Sequence, residues 1–333
     1  LGVDADPVNW GWLSDKERFA FEAINSEARL TAPMVRDSVT GDLVSTGWAG
    51  ALNQTGEALR DADPSRVAVL GGARMTNEAQ YAWAKLMKGV IGTDHVDAQL
   101  GDGLPPEIVL GLPRATIDDA CRPGGTIILV GPDPKEELGA LYLRLRHAVV
   151  EDGATLIELT PHRGGLSGIA AHSLHPRPGE AGDVAAALVA ATSGEAIAGG
   201  GIEAAAIAAA AASISGPVTV VLGRACLAES SAAAVAAAHA FAKLDDVSFL
   251  STLRRGNVHG ALDNGLSPGL LPGRSTLDAG AARFSDAWPS VPSTPGHDAA
   301  GILAAAKAGE IDVLVLLGCD PINDMPDFDL ADA

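Results

Sequence analysis

Short apolar runs alternate along this chain with longer stretches whose apolar positions recur every three or four residues. The runs "VAVLGG" (67–72), "TIILV" (126–130), "ATLIEL" (154–159), "PVTVVLG" (217–223), "VSFL" (247–250) and "DVLVLL" (312–317) read as buried β-strands. "GTDHVD" (92–97) reads as a shorter one. Helical patterns lie between them, at 46–60, 76–91, 135–153, 230–243 and 298–308. The second is the best specified. Thr76 caps it, Glu78 lies in its positive first turn, apolar positions 79, 82, 83, 86, 87 and 90 follow, and Gly92 stops it. Residues 181–213 form two Ala-rich helices broken at Gly199, Gly200 and Gly201. Strands alternating with helices predict an α/β fold with mostly parallel sheets, and 126–159 is a β-α-β unit with a right-handed crossover.

Two of the strands end in nearly the same turn: "TIILVGPDP" at 126–134 and "VLVLLGCDP" at 313–321. A glycine there lets a ligand approach the backbone, and open α/β sheets bind ligands in the crevice beyond their strands' carboxyl ends. Neither turn is a GxGxxG or a P-loop, and both carry Asp where a phosphate prefers neutral or positive groups. Residues 254–273, "RRGNVHGALDNGLSPGLLPG", make a long loop, and such length inside a compact domain marks a functional or interface segment.

The 333 residues suit two domains, and 47% apolar content supplies a sizeable core. A net charge of -19 excludes nucleic acid and anionic lipid as partners, because no basic stripe offsets phosphate repulsion. Cys121, Cys226 and Cys319 are far apart and form no CxxC pair, which suits a reducing compartment and supplies no thiolate metal site. His172 and His175 have a ligand-like spacing without an acidic or thiol partner nearby, and His162 and His259 are equally unsupported. No stretch is apolar enough to span a bilayer. The missing initiator Met and the loop-like "PDFDLADA" ending lead us to expect a piece of a longer chain.

Five motifs, in order, resemble the molybdopterin-dinucleotide oxidoreductases. They are "WGWLSDKERF…RLTAPMVRD", "GGARMTNEAQYAWAKL", "TIILVGPDPKEE…LRLRHAV…GATLIELTPHRGG", "RRGNVHGALDNGLSPG" and "LLGCDPINDMPD". Within that family they are most similar to a non-catalytic branch, the large iron–sulfur subunits of respiratory NADH-quinone oxidoreductase (complex I), of actinobacterial type. The resemblance implies two doubly wound domains, one inserted in the other, each lending a Gly-X-Asn-Pro-like turn to one pterin dinucleotide. The domains expected are a remnant of the amino-terminal iron–sulfur region at 1–45, an outer domain at 46–115 plus 215–333, and an inserted one at 116–214. Strand 67–71 should then share a sheet with 218–222 and 312–317.

Departures from the catalytic members set the functional expectation. The resemblance places a Cys, selenocysteine or Ser ligand for molybdenum after the "TNEAQY" helix, where "HVDAQLGDGLPPEIVLGLPRATIDDA" has neither Cys nor Ser. Asp133 and Asp320 replace the turn asparagines, exchanging a donor amide for an acceptor-only carboxylate. Thr160-Pro161-His162 stands where the family has the Asp-Pro-Arg that receives a nucleotide, and Ser14 where some relatives have a cluster cysteine. The degenerate pterin-site positions are therefore Gly131, Asp133, Gly256, Asn257, Gly260, Asp263, Gly318 and Asp320, with Gly265 completing the loop motif. The expected role is structural, with no catalytic residue, no metal and no cofactor in this stretch. Iron–sulfur clusters would lie upstream of Leu1 and other hydrophilic-arm subunits would be its partners, at the cytoplasmic side of the inner membrane without direct insertion. The alternatives are a formate-dehydrogenase-type molybdoenzyme and a pterin- or nucleotide-binding module without metal.

Overall fold

The computed structural model describes residues 4–332. Its strands, in chain order, are β1 (Met34–Arg36), β2 (Leu43–Ser45), β3 (Val67–Gly71), β4 (Val96–Asp97), β5 (Thr126–Val130), β6 (Thr155–Leu159), β7 (His172–Leu174), β8 (Val218–Leu222), β9 (Val247–Ser251), β10 (Leu270–Leu271), β11 (Ser275–Thr276) and β12 (Val313–Leu317). The chain divides into two compact units. The inserted unit joins the residues up to Ala20 with Gly103–Arg254, and the outer unit joins Phe21–Asp102 with Arg255 and the residues after it.

The inserted unit is built on a parallel sheet of order β7-β6-β5-β8-β9. The expected β-α-β unit is present, with β5 and β6 in register from Thr126↔Thr155 to Val130↔Leu159. Its crossover is two helices, Pro134–Glu137 and Gly139–Val150, because Leu138 leaves helical geometry at φ -137. Central β5 is buried at every position, and Ile127 and Leu129 pack with Leu145 and Leu156. Buried Arg144 bonds Asp118 and the carbonyls of Asp6 and Val8, and its guanidinium lies 3.8 Å from the Trp10 ring centroid. That clamp fastens the amino-terminal residues to the helix Gly139–Val150, so 1–45 does not behave as one separate segment.

Residues 21–45 belong to the outer unit, and two further domain boundaries differ from expectation. β8 pairs with β5, from Thr126↔Val218 to Val130↔Leu222, and β9 pairs with β8. Residues 215–254 thus belong to the inserted unit, as do 103–115, and 67–71 does not share a sheet with 218–222. The run "VTVVL" is buried on both faces, as any interior strand of either parallel sheet would be, so its composition did not choose between them.

The outer unit holds a smaller parallel sheet of order β12-β3-β4, with β12 and β3 in register from Val313↔Val67 to Leu317↔Gly71. The expected pairing of 67–71 with 312–317 is therefore present. Two short antiparallel pairs, β1–β2 and β10–β11, complete its strands. Thr76 caps the helix Asn77–Ala84, which runs on as a π-helical segment, Lys85–Ile91, and ends at Gly92. The long loop at 254–273 contains the helix Val258–Asp263 and β10. β12 is not the buried strand its sequence predicts. Val313, Leu314 and Val315 are half-buried and Leu316 is 46% exposed, because β12 is the sheet's edge among the described residues.

Candidate functional site

In each unit the place to look is the carboxyl end of the parallel sheet, where both Gly-X-Asp-Pro turns fall. In the inserted unit, a Cβ on Gly131 would stand 2.9 Å from the amide nitrogen of Gly223, and one on Gly223 would strike Thr252 and Pro132. The segments leaving β5, β8 and β9 thus stay side by side, the ladder running on through the Gly223 N–H to the Val130 carbonyl and the Thr252 N–H to the Leu222 carbonyl, both at 2.7 Å. Asp133 caps the helix Pro134–Glu137, accepting from the Lys135 N–H at 3.0 Å, and also accepts from the Gly165 N–H at 2.8 Å. Its carboxylate faces its own backbone. Beside the turn lies a cavity of about 20 Å³, lined by Gly131, Pro161, Arg177, Gly223, Arg224 and Glu229 among others. That is room for about one or two waters. The cations on its rim are engaged: Arg224 donates to the carbonyls of Leu227 and Glu229, and Arg177 pairs with Glu180 at 3.5 Å.

In the outer unit, the corresponding end is stitched by ion pairs. Arg74 donates to Asp324 at 3.0 Å and to the Gly318 carbonyl at 3.1 Å. Arg255 reaches Asp102 at 2.8 Å and Asp324 at 3.6 Å, with the Arg255 and Asp102 side chains only 3% and 2% exposed. Bonding to Asp324 holds the Arg74 guanidinium even more firmly protonated, and the same bond depresses the Asp324 carboxyl. The two arginines that a diphosphate would seek are each matched by a carboxylate. Asp320 differs from Asp133. Among the described residues its side chain accepts from the Asn323 amide alone, at 2.7 Å, and makes no cap bond.

The "GNVHGALDNG" stretch has an internal task. Asn257 caps the helix Val258–Asp263 by accepting from the Gly260 N–H at 3.2 Å, and its amide donates to the Met75 carbonyl at 3.0 Å and to Asn77 at 2.8 Å. Buried Gln80 donates to the carbonyls of Gly72 and Asn257, at 2.9 and 3.0 Å. Asp263 pairs with Arg274 at 2.7 Å, and Gly265 sits against the backbone of Leu271 and Pro272. Nothing within 4 Å would meet a Cβ on Gly256. Of the eight sequence-chosen positions, Gly131 and Asp133 lie in the inserted unit; the other six lie in the outer one.

The remaining candidates have local roles. Ser14 and Glu17 form a capping box on the helix Asp15–Phe19. The Thr160 hydroxyl donates to the His162 carbonyl at 2.7 Å, and His175 bonds the Thr160 carbonyl at 2.9 Å. Cys121 is buried and its thiol pushed up to about 11 by that burial; burial also raises Cys319, and Cys226 is exposed. Among the described residues no three His, Cys, Asp or Glu side chains gather as a metal site.

Sequence reasoning missed the buried charges, of which three stand out. Lys88 is fully buried, its ammonium 2.6 Å from Asp94 and bonded to the carbonyls of Ser267 and Leu270 at 2.8 and 2.7 Å. Burial drives its pKa down, with Asp94 opposing. Asp97 accepts from the N–H groups of Gln99 and Ala299, yet burial lifts its pKa to about 7. Arg144 is the third. Each looks like an ordinary polar residue of an amphipathic pattern, and only the distant partners distinguish it.

Two units, each on a parallel, doubly wound sheet, define an α/β architecture. The model of the molybdopterin oxidoreductase family matches residues 29–331, and the chain belongs to that family. It is 29% identical, over 97% of its length, to the G subunit of NADH-quinone oxidoreductase from Mycobacterium tuberculosis, covering 39% of that relative. It is 28% identical, again over 97% of its length, to the alpha subunit of NADPH-Fe(3+) oxidoreductase from Geobacter sulfurreducens, covering 43% of it. The chain thus spans about two fifths of the length of these relatives. Among solved structures, acetylene hydratase from Pelobacter acetylenicus shares the fold with a TM-score of 0.51 at 15% identity, covering 69% of this chain and 37% of that one. Among the described residues no helix is long and apolar enough to cross a membrane.

Proposed function

We propose that this chain is a catalytically silent molybdopterin-oxidoreductase-like domain of a large iron–sulfur subunit of the NADH-quinone oxidoreductase type. Its role is structural, supporting electron transfer from NADH to quinone by packing beside cluster-bearing domains. Other hydrophilic-arm subunits are its partners, in a peripheral arm on the cytoplasmic side of the membrane. The observation that carries this reading is the narrowness of the crevice beside the inserted unit's turn, together with the engagement of Asp133. A space of about 20 Å³ does not take a nucleoside, and the Asp133 carboxylate is bonded to the protein's own N–H groups. The outer unit supports it, since Asp324 and Asp102 neutralise the arginines there. The residues present do not fit a pterin dinucleotide.

The rival binding-module reading draws on the "GNVHGALDNG" loop, but that motif is explained by the Asn257–Gln80 network without any ligand. The formate-dehydrogenase reading needs a molybdenum ligand in 95–120, and that segment offers no Cys or Ser. Elemental analysis of the purified chain, with fluorescence of the acid-released and oxidised supernatant, tests the proposal. We expect no stoichiometric molybdenum and no pterin fluorescence; one molybdenum per chain would overturn it.

A further inference from the structure

The outer unit is built from two stretches of chain, Phe21–Asp102 and Arg255 with the residues after it, and all of Gly103–Arg254 between them belongs to the other unit. The residues on either side of that break are bonded to each other. Asp102 ends the first stretch and Arg255 begins the second, and they pair at 2.8 Å with side chains 2% and 3% exposed. Arg255 also holds φ at 85, a left-handed geometry that costs a non-glycine residue energy and persists only where surrounding contacts fix it. Its contacts are the carboxylates of Asp102 and, at 3.6 Å, Asp324. The two stretches meet again at β3 and β12, well inside each of them. The ion pair sits at the break itself.

The inserted unit ties its own two ends. The Phe249 N–H donates to the Pro113 carbonyl at 2.7 Å, and the Ala115 N–H donates to the Phe249 carbonyl at 2.9 Å. While that unit is folded, only the short segments 103–112 and 250–254 separate this tie from Asp102 and Arg255. When it unfolds, the same two residues become the ends of one long flexible loop, and the entropy lost in holding loop ends together grows with loop length.

We propose that the Asp102–Arg255 pair is a latch that keeps the outer unit folded while the inserted unit opens. The latch and the folded inserted unit bring the same two points of the chain together, so they act as redundant tethers. Losing the latch alone costs the outer unit one buried pair. Losing both leaves its two stretches joined at the break by a long loop only, and the combined loss exceeds the sum of the separate ones. The latch works the same way whether or not the domain is catalytically silent.

A double-mutant cycle on the full chain tests this, read by hydrogen exchange in peptides spanning β5 and β3. With the latch intact, Leu129→Ala should lower β5 protection about tenfold or more and leave β3 within about threefold. In an Arg255→Gln background, the same Leu129→Ala should lower β3 protection by about a further tenfold, beyond what Arg255→Gln does alone. Asp102→Asn removes the charge pairing at nearly constant volume and gives the same readout where Arg255→Gln fails to fold. A pair that merely stabilises the outer unit would give an additive cycle, with Leu129→Ala changing β3 equally in both backgrounds, and that result would overturn the proposal. So would a β3 that loses protection together with β5 while the latch is intact, a result that needs no latch variant to fold.

Discussion

The strands that end in Gly131-Pro132-Asp133-Pro134 and Gly318-Cys319-Asp320-Pro321 are near copies in sequence and opposites in setting. Leu129 and Leu316 hold the same place in each run, yet one is 1% exposed and the other 46%. Gly131 is pressed against Gly223, while open space surrounds the Cβ position of Gly318. Asp133 binds two backbone N–H groups, and Asp320, among the described residues, only a neighbouring side-chain amide. Position within the sheet accounts for all three differences. β5 is a central strand with neighbours on both sides, and β12 is an edge. The same local sequence therefore makes a closed, self-satisfied junction in one unit and an open margin in the other.

Paired substitutions test that contrast position by position. Leu129→Ala should destabilise the inserted unit by about 2–5 kcal/mol, since it leaves a cavity in a packed core, whereas Leu316→Ala should cost the outer unit under ~1 kcal/mol. Hydrogen exchange resolved to peptides spanning β5 and β3 reads each unit separately. Equal losses would mean that β12 is covered in solution. Next in size, Gly131→Ala should cost about 2–3 kcal/mol, because the new methyl meets backbone that has no room to move. Gly318 has φ 55 with nothing within 4 Å, so Gly318→Ala should cost only about 1 kcal/mol, the left-handed backbone penalty. The same exchange measurement would expose a reversed order.

A third pair separates the carboxylates. Asp133→Ala removes a cap and the tie to Gly165, leaving the Gly165 N–H without its partner, and should cost about 1–3 kcal/mol. Asp320→Ala loses one exposed contact and should change stability by under ~0.5 kcal/mol. Thermal unfolding followed by near-ultraviolet circular dichroism measures both. A cost at Asp320 matching that at Asp133 would show that its carboxylate has a further partner within the fold.

These contrasts also show what could be read in advance. The fold class, the β5–β6 unit, the pairing of β3 with β12, and the Thr76 cap follow from local chemistry or from the order of motifs, and both are displayed in a sequence. Which sheet takes "VTVVL", and whether "VLVLL" is central or marginal, depends on neighbours far along the chain, and an apolar run looks the same in either place. The site was legible in part. The missing Cys and Ser in 95–120 are visible in the letters, but the close approach of Gly131 to Gly223, 92 positions later, is not. Lys88 beside Asp94 was hidden for the same reason. Its other two partners, Ser267 and Leu270, come from a distant loop.

The smallest expected effect concerns two histidines with opposite hydrogen-bonding demands. In the inserted unit, His175 Nδ1 faces the Thr160 carbonyl at 2.9 Å, so that nitrogen must carry a proton and the bond survives in the imidazolium. In the outer unit, His95 Nδ1 accepts from the His297 N–H at 2.9 Å, so the bond requires an unprotonated nitrogen there. Burial, with the stacked His297 ring adding to it, lowers the His95 pKa below its ordinary value of 6.5, and nearby Asp94 works the other way. A depressed histidine pKa means that the contribution is fully present above 6.5 and is lost as pH falls through the folded-state value. Asp97 opposes this over a neighbouring range. Its carboxyl is raised to about 7, so its ionisation costs the outer unit stability as pH rises. The two trends offset one another in a global melt, and the local amide is the place to look. Protection of the His297 amide should fall on acidification from neutral pH to about 5, after correction for intrinsic exchange. The fall should persist in Asp97→Asn and vanish in His95→Gln, whose side-chain carbonyl can accept the same N–H at any pH. Protection around Thr160 should show no matching loss. A His297 amide equally protected at both pH values would mean that the His95 ring keeps its acceptor nitrogen bare in acid, and would remove this difference between the units.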